Sequence, residues 1–137
     1  MRLSFVCFAS LVGVIVPMQA QAKSDCALMQ QLAQQHSNDM ARRERLDHSG
    51  FSHRAARGAR AENVAMGNKT KEATMAQWRA SRRHAANMRL PGCKAVAYAV
   101  GRSGRYYWTM EIGQSPGERR QGRRGRVPVQ VFPYPTW

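Results

Sequence analysis

Acidic residues are scarce in this chain of 137: eight Asp and Glu stand against 22 Lys and Arg, a formal net charge of +14. That scarcity excludes an acidic solvating protein and points to polyanionic partners: nucleic acid, anionic lipid or acidic polysaccharide. Lysine is scarce too, at four against 18 arginines. No run of 18 apolar residues occurs, which excludes a multi-pass membrane protein. Internal repeats are absent. So are Gly-x-Ser-x-Gly, His-Glu-x-x-His, Gly-x-x-x-x-Gly-Lys-Ser/Thr and Gly-x-Gly-x-x-Gly. What is present is 43% apolar, enough for one folded domain and too much for a disordered chain.

The first residues read as an address. Met1-Arg2 is positive, Leu3 to Val16 is an uncharged apolar run, Pro17 breaks it, and Ala20-Gln21-Ala22 supplies a small–x–small cut. Residues 1–22 are therefore expected to be a signal peptide and the mature protein to be exported, periplasmic or secreted. The alternative is an uncleaved anchor, but fourteen residues rise only about 21 Å as a helix, short of the hydrocarbon core. Cleavage would remove Cys7 and leave Cys26 and Cys93. An even pair in an oxidising compartment favours one disulfide over two buried thiols.

Residues 23–45 read as a helix with Leu28, Leu32, His36 and Met40 on one stripe, which makes His36 a packed core histidine. Residues 47–61 lack periodicity and read as loop, with His53 solvated between Ser52 and Arg54. A second helix is expected from Thr70, and a third from Ser81 as N-cap through Met88, ended by Pro91-Gly92. Period 2 then takes over. Val96, Tyr98 and Val100, a turn at Gly101–Gly104, and Tyr106, Trp108, Met110 and Ile112 predict a β-hairpin. Trp78, Tyr106, Tyr107 and Trp108 could stack on bases or sugars, but their spacing favours a core role for at least half of them. Residues 116–137 hold five Arg, four Pro and three Gly. They predict a flexible basic tail with Arg119, Arg120, Arg123, Arg124 and Arg126 as polyanion contacts, and an apolar end able to dock.

Three ionisable residues lie near the helix ends: His48, Glu62 and His84. Two imidazoles and a carboxylate suit zinc or another divalent cation, and suit equally a hydrogen-bonded His–Glu cluster. Spacing alone does not bring them together. Ser81, three residues before His84, fits an N-cap better than a nucleophile.

The order of these pieces resembles the CAP superfamily of SCP-like proteins, which includes cysteine-rich secretory proteins, antigen 5, pathogenesis-related proteins and short bacterial exported domains. The resemblance runs over residues 32–112. It is carried by Leu32-Ala33 through Met40-Ala41, by Leu46-Asp47-His48-Ser49-Gly50-Phe51, by Ala61-Glu62-Asn63-Val64-Ala65, by Trp78 through Met88, and by Tyr107-Trp108-Thr109 in the hairpin. It implies an α+β fold, a reduced α-β-α sandwich spanning residues 23–115. It also implies a ligand cleft lined by His48, Glu62, Asn63, Ser81 and His84, with His48, His84 and Glu62 as a metal set. Ala61 replaces the family's usual Gly before Glu62, and Arg82-Arg83 replaces its Pro-Gly before His84. Ser81 stands where animal members carry a second cavity glutamate. The family's opening helix has no counterpart before Cys26, which implies an N-terminally truncated domain.

Three functions compete. The favoured expectation is a non-catalytic binding module of the cell envelope or extracellular space. The others are a metal-dependent hydrolase using His48, Glu62 and His84, and a polyanion-binding envelope protein. In the last, Arg42, Arg43, Arg45, Arg54, Arg57, Arg60 and the tail would contact lipid, lipopolysaccharide or polysaccharide, export making specific nucleic acid a less natural target.

Overall fold

The computed structural model describes residues 18–115, with side chains from residue 25 onward. The expected signal peptide lies mostly outside this range, and the tail with its five arginines lies wholly outside it. Helix α1 spans Met18–Arg43. It buries Met29, Leu32, Ala33, His36 and Met40, so the expected stripe is its inner face. Glu44, with φ 52°, closes the helix, and the Arg45 amide reaches back to the Met40 carbonyl at 3.1 Å. Residues 47–61, expected as loop, contain the one-and-a-half-turn helix α2 (Phe51–Ala56) and the start of strand β1 (Ala59–Met66).

Ser81 is the N-cap expected, and Thr70, where the second helix was expected to start, is a cap as well. Thr70 accepts from the Ala73 amide at the start of α3 (Lys71–Ala80), and Ser81 accepts from the His84 amide at the start of α4 (Arg82–Arg89). The hairpin is β2 (Lys94–Val100) and β3 (Tyr106–Gly113). Strand β1 joins the other side of β3, giving an antiparallel sheet in the order β1-β3-β2.

Register assigns side chains to two faces. Glu62, Val64 and Met66 stand opposite Glu111, Thr109 and Tyr107, which in turn face Ala95, Ala97 and Ala99. Helix α1 packs on this face, and the alanines of β2 let it come close. On the other face Ala61, Ala65, Trp108, Met110 and Ile112 pack around Trp78 of α3, with Met88 and Leu90 from the α4 side. The sheet therefore lies between helices on both sides, the α-β-α arrangement implied by the resemblance. Trp78, Tyr107 and Trp108 are buried, as their spacing favoured, while Tyr106 is half-buried.

Cys26 and Cys93 are joined, with Cα atoms 5.4 Å apart and a sequence separation of 67. The bond ties the first half of α1 to the entry of β2. Gly92, at φ 107°, makes the turn before it, and a Cβ there would collide with the Gly113 carbonyl oxygen. No helix among the described residues is long and apolar enough to cross a membrane.

Candidate functional site

Between α1, α2 and the sheet the core turns from apolar to charged. Glu62 of β1 and Glu111 of β3 are cross-strand partners on the α1 side, both buried. Two carboxylates directly opposite would repel each other. Arg54 of α2 lies between them. Its Nε donates to Glu62 Oε2 at 2.8 Å and to Glu111 Oε1 at 2.8 Å, and its Nη2 stands 2.6 Å from Glu62 Oε2. Its Nη1 donates to the Ser49 carbonyl at 2.8 Å, which anchors the guanidinium to the loop. Gly50, at φ 71°, leaves the room: a Cβ there would stand 3.3 Å from Arg54 Nη1.

His48 approaches from the same loop. Its Nδ1 lies 2.6 Å from Glu62 Oε1, a charge-assisted hydrogen bond in which the imidazole donates. Asp47 fixes the loop. It accepts from Arg43 through both oxygens, at 2.6 and 2.9 Å, and from the Ser49 amide at 3.0 Å. His36 of α1 completes the cluster from above. Its Nε2–H donates to the Asp47 carbonyl at 2.8 Å and stands 3.6 Å from Glu62 Oε1.

The electrostatics follow from this packing. Burial opposes ionisation of Glu62, but the His48 hydrogen bond, the neighbouring Glu111 and the charges of His36 and Arg54 hold its carboxyl down, to about 2. Burial pushes Glu111 up, and the adjacent Glu62 carboxylate adds to it, to about 10 despite Arg54. One site thus holds an ionised and a protonated carboxyl side by side, separated by environment alone. Burial also keeps His36 below the usual imidazole value.

The expected cleft residues divide. His48 and Glu62 meet. Asn63, next along β1, points to the opposite face, where its Nδ2 donates to the His84 carbonyl at 3.1 Å and its Oδ1 accepts from Asn87 at 2.9 Å. It tethers α4 rather than joining Glu62. Ser81 caps α4. His84, at the start of α4, is half-buried. Burial lowers its pKa, and so, to a lesser extent, does the charge of His48.

No group of three or more His, Cys, Asp or Glu among the described residues stands in metal-holding geometry. Glu62 directs one oxygen to His48 and the other to Arg54, so the carboxylate is committed to protein donors. As arranged, the residues do not fit a three-ligand centre of His48, Glu62 and His84.

Three participants escaped the sequence reading. Arg54, expected among the surface polyanion contacts, is buried and paired to two carboxylates, so it cannot serve in that role. Arg43 is likewise bound to Asp39 and Asp47. Glu111 supplies a second carboxyl from β3. Its signal was a lone acid in a strand whose other members are apolar, aromatic or Thr. His36 is the packed histidine expected, yet its ring borders the charged cluster. A groove of about 330 Å³ between α1 and α2 reaches this cluster, with His36 and Arg54 in its wall beside Gln35, Asp39, Ser49 and His53.

A family model described as the cysteine-rich secretory protein family, CAP, matches residues 18–112. The chain belongs to the CAP family. The match covers all of α1 and all but the last residue of β3, and so includes every member of the charged cluster. Among curated proteins, none matches the chain. His48 is bonded to Glu62, His84 sits at the start of α4, and the second carboxyl comes from the sheet rather than from position 81.

Proposed function

We propose that this CAP-domain protein is an exported binding module without turnover, whose ligand engages the surface around His48 and the α1–α2 groove. The observation that carries the reading is the commitment of Glu62. Both Glu62 oxygens are engaged, one by His48 and the other by Arg54, which suits the carboxylate to holding those groups. A carboxylate so held is suited to orienting His48, which keeps part of its side chain exposed. Hydrolysis with Glu62 as base would require it to leave one of these partners. Export is supported by the signal-like first 22 residues, the Cys26–Cys93 bond and the extracellular habit of the family.

The net charge of +14 favours a companion role in contact with anionic envelope components: lipid, lipopolysaccharide or polysaccharide. The test uses oxidised protein and vesicles containing phosphatidylglycerol, with lipopolysaccharide in parallel, titrated against salt. Binding is expected to weaken steeply with salt. Removal of residues 116–137 should flatten that dependence, and His48→Ala should change ligand preference without changing the salt slope. If neither vesicles nor lipopolysaccharide bind at low salt, the envelope role is wrong. Metal-dependent turnover lost in His48→Ala would restore the hydrolase.

A further inference from the structure

We propose that the C-terminal segment of this chain, residues 127–137, covers the exposed apolar surface formed by Tyr98 and Val100 of β2 and Tyr106 of β3. Tyr98 and Val100 are the large apolar residues left about half exposed among the described residues, at 49% and 48%. They are neighbours on one face of one strand, and they continue into a stack. The Tyr98 ring lies 5.7 Å from that of Tyr106 and 4.8 Å from that of Trp108. The other face of the same strand is covered by α1, and the Trp78 cluster is centred on β1 and β3. Contiguous exposed apolar side chains beside a ring stack are a candidate docking surface.

The occupant follows from where the chain continues. Ser115 is followed by 22 residues, of which the last eleven are Val127-Pro128-Val129-Gln130-Val131-Phe132-Pro133-Tyr134-Pro135-Thr136-Trp137. They hold no charged side chain, three prolines and three aromatics. From Ser115 back to Trp108 is about 23 Å along the chain. The intervening residues 116–126 span up to about 36 Å extended, so the reach suffices. Addition as a fourth strand is the less suitable mode. Gln30 and Gln34 of α1 already donate to the Val96 and Tyr98 carbonyls, and three prolines lack the donors a ladder needs. Proline-rich segments instead lay rings against aromatic surfaces, at low cost in chain entropy.

The test compares oxidised full-length protein with a chain ending at Arg126, by NMR. Truncation is expected to shift the Tyr98 and Tyr106 ring signals and the Val100 methyl signals. The full chain should show contacts from these groups to the Trp137 or Tyr134 ring. Trp137→Ala and Tyr98→Ser in the full-length chain provide a second route and should each abolish those contacts. Unchanged signals on truncation overturn the proposal. So do contacts that appear only between differently labelled chains and grow with concentration, which would assign the surface to a second copy.

Discussion

The two faces of the sheet are built by different rules. The α3–α4 face is an apolar core around Trp78, Trp108, Met110 and Ile112. Its exception is the Asn63–Asn87 pair, which satisfies itself and the His84 carbonyl. The α1–α2 face buries Arg54, Glu62, Glu111 and His36. The apolar face gains from every buried methylene. The charged face must offset the desolvation of each ion with its partners, and such clusters are poor sources of stability. On the function proposed above, the cluster is retained for the His48 side chain it positions rather than for stability.

The largest effects should separate the faces by mechanism. Trp78→Ala is expected to cost about 3–5 kcal/mol, since it opens a cavity and leaves the Val64 carbonyl without its Nε1 partner, and to leave the His48–Glu62 contact intact. Denaturant midpoints and the His48 NMR signals would check both halves. Arg54→Met should cost a similar amount, about 3–5 kcal/mol, because it strands two carboxyls. Here the His48 signals must change as well. A loss of stability with unchanged His48 would make Arg54 structural only.

Reduction of Cys26–Cys93 comes next, at about 4 kcal/mol for so long a loop. Thermal melts with and without reductant measure it. This bond was legible because the export signal and the cysteine count agree. The hairpin, the helix start at Thr70 and the Ser81 cap were legible because each is local. Strand β1 was not. Its residues Ala61–Ala65 are all buried, so Glu62 and Asn63 break the apolar alternation by which a strand is read. Arg54 and Glu111 were hidden for a related reason. A buried charge is identified by its partners, and Arg54 meets Glu111 across 57 residues of sequence, through pairing of strands that lie far apart in the chain.

The subtlest effect concerns the two carboxyls, which oppose each other in pH. Glu62 is depressed in the fold. Its contribution is present above the ordinary carboxylate pKa and lost as pH falls from about 4.5 towards 2. Glu111 is raised. Its contribution is present below about 4.5 and lost as pH rises towards 10. Glu111→Gln mimics the protonated form. It should be close to neutral in mild acid and should gain on the natural protein as pH rises, whereas Glu62→Gln should lose ground above pH 4.5. Unfolding measured at several pH values would show the two variants diverging; parallel curves would mean that both carboxyls ionise together.

The most direct measurement is the unfolding free energy of the triple variant Arg54→Met, Glu62→Leu, Glu111→Leu at neutral pH. If the charged face is held for the site rather than for the fold, removing the Arg54–Glu62 ion pair and the Glu111 carboxyl together should leave stability unchanged or raise it by about 1–4 kcal/mol, while the His48 environment and any vesicle or lipopolysaccharide preference that depends on it are lost. A loss of several kcal/mol would contradict the account, since it would make the cluster a structural element of the domain in its own right.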